Sequence, residues 1–397
     1  MKQYTGNIFA DENDIYMALH SNKNKITDLT LRKIAFERGI IYSSSLNRNE
    51  LIEQISQLPF GYSQVKKLTD KLVPKINRDQ YSIKRISKNF DLRSLDNIVD
   101  AVVENRPQGI GNEVIVGERS VGTYYVEIDY VDFDFTKGRF QQKKSHSGYI
   151  AFIESTGHIS VHYTYTEKID EILGSIIEMY RERVSNTIDV QEIDLSFIAS
   201  SRERSLFIER VIKNNDSIFL GSEKIRVSKT LTGLSLQNNE DDSDSELDDL
   251  DCELNDPDEI EPELINETKL LKVINNASFD GHNLDDIDDI NKFYNAGYFP
   301  SRVKWRHKSK RLKNSPIVII ELAFNERHLG KDLKFRILGK HAVDDKGQEG
   351  ARMSINGAEF DDTMFYMEKI LFDSYEMIDK TAPAEITRPI ESDRGDA

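Results

Sequence analysis

Cysteine is nearly missing from this sequence. Its one example, Cys252, can form no internal disulfide and cannot anchor a cysteine-rich zinc site. That fits a reducing compartment: the cytoplasm with nucleoid association, or the nucleus in a eukaryote. Long apolar runs are missing too. No stretch approaches the roughly 20 apolar residues of a membrane-spanning helix, so no membrane partner is expected. Residues 1–14 lack the apolar segment of a secretory signal. There is no GxxxxGK[ST] and no strand-linked GxGxxG, so no nucleotide cofactor is implied; no other cofactor is expected either.

Positive charge is in deficit overall, with 53 Lys and Arg against 69 Asp and Glu and a net charge of −16. The deficit is local. Residues 240–263, EDDSDSELDDLDCELNDPDEIEPE, hold fourteen acids and no Lys or Arg. Such a segment cannot offset its chain entropy by burial, and residues 238–268 read as a disordered acidic linker. Residues 20–90 have the opposite sign, with fourteen basic residues against six acids. A local positive field attracts phosphate without choosing a sequence.

Within that basic stretch, residues 26–58 carry the most informative pattern. Leu29, Leu31, Ile34, Ala35 and Phe36 fall near helical spacing, with Thr27 or Asp28 as N-cap and Arg38-Gly39 as the stop. Ile40-Ile41-Tyr42 reads as extended. Asn47 then stands three residues before Glu50, as in a capping box, and opens a second helix with Leu51, Ile52 and Ile55 inside. This order of helix, extended link and helix resembles the SAP family, a small DNA-binding module. The likeness rests on Leu31-x-x-Ile34, Arg38-Gly39-Ile40, a serine run and Arg48-x-Glu50-Leu51-Ile52. It departs in a longer link, Ser43 to Leu46, and in Arg48 where the family has Lys. It implies DNA as partner, double-stranded by preference, with Arg32, Lys33, Arg38 and Arg48 as contacts. A third helix capped by Ser63, with Val65, Leu68 and Leu72 inside, adds Lys66 and Lys67 outside.

The remainder predicts an α+β fold: a helical module (1–90), an α+β domain (91–237), the acidic linker, a second α+β segment (269–380) and a disordered tail (381–397). Residues 91–103 and 167–184 have amphipathic helical stripes, whereas 123–135, 147–154 and 158–165 alternate as strands. Residues 193–198 read as a strand, and a helix follows from Ser200 or Ser201 in which Leu206, Phe207 and Val211 are apolar and Arg202, Arg204 and Arg210 are not. Residues 218–229 read as a strand pair or one bent strand. Beyond the linker the order is a helix at 284–294, strands at 302–306, 317–324 and 333–338, and a helix at 360–378. This is either a duplication or one sheet continued across the acidic insertion.

Chemistry is sparse. Ile319-Ile320-Glu321 resembles the carboxylate strand of a restriction-type nuclease, but Ala323 stands where that motif has Lys. Glu127/Asp129 and Asp132/Asp134 share strand faces and read as solvated. His158 and His162 also share a face, but no third zinc ligand is identifiable, so they read as satisfied surface histidines and no metal is expected. A second basic cluster, Arg302, Lys304, Trp305, Arg306, Lys308, Lys310 and Arg311, offers cations for phosphate and an indole for stacking on an unpaired base. The reading is a non-enzymatic DNA-binding protein or subunit. The alternatives are a protein-interaction or scaffold subunit, with a protein partner or a homo-oligomer and a composition resembling accessory proteins of prokaryotic defence loci, and a nuclease-like enzyme.

Overall fold

A computed structural model describes residues 11–23, 26–72, 79–106, 113–135, 142–230, 276–281, 292–294, 296–343 and 347–379. The acidic run, most of the helix expected at 284–294 and the tail after residue 380 lie outside these. The fold is α+β, with antiparallel strands in one sheet preceded by N-terminal helices. No helix among the described residues is long and apolar enough to cross a membrane.

The helical part comprises α1 (Glu12–His20), α2 (Asp28–Phe36), α3 (Arg48–Ser56) and α4 (Tyr62–Leu72). Its termini follow the chain's capping chemistry. Thr27 accepts from the Thr30 amide, and Asn47 and Glu50 cap each other's backbone reciprocally. Gly39 takes φ +77°, a left-handed conformation that lets the Gly39 and Ile40 amides bond back to Phe36 and Ala35. Ile15, Leu19, Ile26, Leu31, Ala35, Leu51, Ile52, Ile55, Val65 and Leu68 form one buried cluster. Leu29 and Phe36 do not join it; they are 80% and 66% exposed, because the narrow stripe facing α3 takes only Leu31, Ala35 and part of Ile34.

The strands are β1 (Tyr81–Ser87), β2 (Val114–Ser120), β3 (Thr123–Phe133), β4 (Lys143–Glu154), β5 (His158–Thr164), β6 (Val190–Gln191), β7 (Ser217–Lys229), β8 (Asn276–Asp280), β9 (Tyr298–Ser309), β10 (Ile317–Glu326), β11 (Lys331–Val343) and β12 (Glu349–Met353). Their order is β2-β3-β4-β5-β1-β11-β10-β9-β7-β8, with β12 on β11 and β6 on β1. Strands from before and after the acidic run therefore share a sheet, and β7 pairs with both β8 and β9. Of the two alternatives, the continued sheet is the one observed, so a boundary near residue 237 does not close a body. β1, which the sequence reading left in the helical module, lies inside the sheet between β5 and β11.

Helices α5 (Leu95–Asn105), α6 (Glu167–Arg183), α7 (Ser201–Ile212) and α8 (Ala358–Asp379) complete the fold. The chain forms two compact units, one built on residues 1–77, 93–150 and 172–184, the other on 78–92, 151–171 and 185–397. In the first, Gly117 on β2 is required because Tyr124 occupies the space a Cβ would need. In the second, α7 and α8 share one apolar cluster with the inward residues of β7, β9, β10 and β11, including Phe207, Val303, Trp305, Ile320, Phe335 and Phe372. Residues 193–198 are no strand. Ile193, Leu195 and Ile198 fill this core from an irregular segment tied by the Leu195 amide to the Gly330 carbonyl.

Candidate nucleic-acid interface

The expected contacts of the helical unit fall into two groups. Arg32 donates from Nη1 to the carbonyls of Tyr42 (3.3 Å) and Ser43 (2.8 Å), and from Nη2 to those of Ser44 (3.5 Å) and Leu46 (3.1 Å). It thereby fixes the whole extended link. Arg38 stacks 3.8 Å over the Phe60 ring and donates to Gln64 Oε1 at 3.1 Å. Arg48 ties α3 to Asp28 (2.8 Å) and to the Leu19 carbonyl (3.3 Å). These three hold the unit together. Lys33, Lys66 and Lys67 are exposed and carry no hydrogen bond or ion pair among the described residues.

The partners of the arginines decide the field. The hydrogen bonds of Arg32 and Arg38 go to carbonyls and an amide, whereas Arg48 bonds the Asp28 carboxylate and Glu37 acts on Arg38 through space. Arg32, Arg38 and Arg48 are thus immobilised by the fold, and the exposed Lys33, Lys66 and Lys67 are the cations left to meet a ligand.

Strand β9 behaves differently. It alternates strictly, so Val303, Trp305 and His307 face the core while Arg302, Lys304, Arg306 and Lys308 share the other face. Trp305 is fully buried, and its stacking on a base is excluded by this alternation. Arg302 bonds Glu321 on β10 at 2.8 Å, Lys304 bonds Glu223 on β7 at 2.8 Å, and Arg306 meets Glu223 and Glu349. Arg336 on β11 approaches the second oxygen of Glu321 at 3.8 Å. Glu321 is thus the shared counter-charge of two arginines, which accounts for a carboxylate on an apolar strand. Lys310 and Arg311, at the β9–β10 turn, instead reach back to the start of β7, where Lys310 Nζ bonds the Asn215 carbonyl at 2.7 Å and Arg311 bonds Asp216 at 3.1 Å.

The histidine pair on β5 belongs to one polar cluster, with His162 buried and His158 at its partly exposed rim. Glu368 of α8, 4% exposed, accepts from Arg85 Nε (2.9 Å) and Ser160 Oγ (2.8 Å) at one oxygen, with His158 Nε2 at 3.0 Å; His162 Nε2 lies 2.9 Å from the other. Burial pushes the Glu368 carboxyl up, but His162, Arg85 and His158 outweigh it and hold its pKa at about 2. Strand alternation placed His158, Ser160 and His162 on one face; their partner is 200 residues away, and its position in a helical stripe gave no sign of it.

Other polar groups offer less. Lys84 is neutralised by Asp170 at 3.1 Å and Glu192 at 3.2 Å, with the Tyr163 hydroxyl also donating to Asp170. Glu127, Asp129 and Asp132 are exposed on β3. Among the described residues, no group of three or more His, Cys, Asp or Glu is placed to hold a metal ion. No protein-family model matches the chain, and no curated protein matches it.

Proposed function

We propose that the protein is a non-enzymatic DNA-binding protein, or the DNA-binding subunit of a complex, that engages duplex DNA through its N-terminal helical unit. One observation carries this reading. The unit has the helix–extension–helix order, and Lys33, Lys66 and Lys67 are exposed on it with no ion pair among the described residues, beside Arg32, whose hydrogen bonds all go to neutral carbonyls. Mobile lysines suit the phosphate backbone, which supplies affinity without sequence choice. Such a ligand would place the protein in the nucleoid or the nucleus.

The test is a duplex binding titration across a salt series with Lys33→Glu/Lys66→Glu/Lys67→Glu. Three lost phosphate contacts should flatten the slope of log affinity against log salt by about 2.7 and weaken binding at low salt by at least tenfold, on the order expected for counterion release. Equal affinity and slope in a folded variant would refute the assignment. A second reading has its own support: Leu29 and Phe36, seven apart on α2, are exposed with Ile41 and form an apolar stripe fit for a protein partner. It predicts no shift of DNA by the wild-type chain at any salt.

A further inference from the structure

A cluster of cations converges where the β9–β10 turn, the start of β7, the end of α7 and the middle of α8 meet. Lys310, Arg311 and Lys313 come from the turn, Lys213 caps α7, and Lys369 projects from α8; all five are exposed. Lys369 Nζ and Arg311 Nη2 both bond the same oxygen of Asp216, at 2.6 and 3.1 Å. Lys310 bonds a neutral carbonyl, Lys213 pairs with Glu209 at 3.1 Å, and Lys313 has no partner among the described residues.

Two features separate this corner from the face of β9. First, five cations share two carboxylates, Asp216 serving Lys369 and Arg311 and Glu209 serving Lys213, so positive charge is in excess. Second, the corner is built. Asp216 follows Asn214, whose side chain bonds its backbone amide at 3.0 Å and the Tyr366 hydroxyl at 2.8 Å, and Tyr366 in turn donates to Ser217. The Arg311 guanidinium lies 5.8 Å over the same Tyr366 ring. Lys369 above all, and Arg311 after it, hold the Asp216 carboxyl below its usual range, so it remains an ionised anchor at neutral pH. Like charges held this close repel, and an anion bound at the corner relieves the repulsion.

We infer that this corner binds nucleic-acid phosphates, as a second contact surface outside the helical unit. It shares its ligand with the function proposed above but none of its residues. A planar guanidinium beside point-charge ammonium groups suits adjacent phosphate oxygens. The rings in contact with these cations are not open for base stacking, Tyr366 being buried beneath Arg311 and Phe219 half-buried beneath Lys213, and a duplex backbone fits the corner better than an unpaired strand. The chain shows only the Lys310–Lys313 part of the pattern, because Lys213 and Lys369 join the turn only through the fold.

The experiment follows a labelled short duplex by anisotropy over a salt series, using the full chain, a corner variant (Arg311→Glu/Lys313→Glu), the three-lysine variant of the helical unit, and the combination. The corner variant should weaken binding by on the order of tenfold at low salt and flatten the salt slope by about 1.8, with the melting temperature unchanged. Lys313→Glu alone, which breaks no bond in the fold, should give half that change in slope and guards against misfolding of the double variant. Loss in the corner variants with none in the helical-unit variant would keep the corner and overturn the function proposed for α2 and α4. Loss only in the helical-unit variant would overturn the corner. So would a corner that loses competition by pyrophosphate while duplex affinity stays constant, since that assigns it to a small phosphate ligand.

Discussion

The helical unit and the sheet use arginine in opposite ways. In the first, Arg32 and Arg38 bind carbonyls, an amide and a ring. In the second, Arg302, Arg336 and Arg85 bind carboxylates that are themselves buried, Glu321 and Glu368. A guanidinium on neutral acceptors stiffens a fold and leaves its charge to act outward. One on a buried carboxylate also stiffens the fold, but the two charges cancel, and each depends on the other for solvation. A basic stretch in sequence therefore says little about available charge until its partners are known.

The comparison is easiest to break at Glu368. Replacing it with Ala leaves Arg85, His158 and His162 without their common acceptor, and should lower unfolding free energy by about 3–5 kcal/mol, measured by urea denaturation. A loss below about 1 kcal/mol would mean that solvent replaces the carboxylate and that the cluster is not a buried pair in the energetic sense.

Acid should act on the same region in two stages. Burial lowers the pKa of His307 from 6.5 to about 4, so the unfolded chain takes up its proton first. The stability this neutral ring contributes is complete above pH 6.5 and falls as pH approaches 4, by about 3 kcal/mol. Glu368, with its pKa lowered from 4.5 to about 2, contributes stability that is complete above pH 4.5 and falls toward pH 2, again by about 3 kcal/mol. Urea midpoints between pH 7 and pH 3 test both. His307→Phe, which keeps a ring beside Tyr366, should abolish only the upper stage; an unchanged profile in that variant would assign the acid response elsewhere.

In the helical unit the matching substitution is Arg32→Met, which keeps the stem and removes the donors. It should cost about 2 kcal/mol and speed amide exchange in residues 42–46. Exchange as slow as in the parent chain would show that the link holds without its guanidinium. At the small end, Lys33→Ala should change stability by no more than about 0.5 kcal/mol.

What could be read from the chain follows the range of the interaction. Caps, stops and stripes are local, and Thr27, Gly39, Asn47 and the inward residues of α6 stand where spacing placed them. Alternation put Trp305 and Arg306 on opposite faces of a strand, but could not say which face was covered. Arg204, read only as a non-apolar position of its helix, is fully buried because it donates to the carbonyls of Ile198, six residues before it, and of His328, in a loop distant in sequence. The segment at 193–198 has the composition of a strand and lacks a neighbour to pair with. The clusters around Glu368 and Asp216 were legible only in part, as His158 with His162 and Lys310 with Arg311, for a common reason: each joins three or more elements, and no period along the chain encodes that meeting.

Strand β1 has a consequence for how the chain reaches this state. The Ser82 hydroxyl bonds the Leu333 carbonyl across 251 positions, and Tyr81 pairs with Phe335. During synthesis the four N-terminal helices can close on local contacts, but β1 must wait until β11 has left the ribosome before both its edges are covered. Until then a seven-residue strand presents a bare edge to every other nascent chain. Completion of the sheet thus depends on a pairing between residues far apart in the chain, and a stall in translation before residue 335 is expected to leave that edge of β1 unpaired.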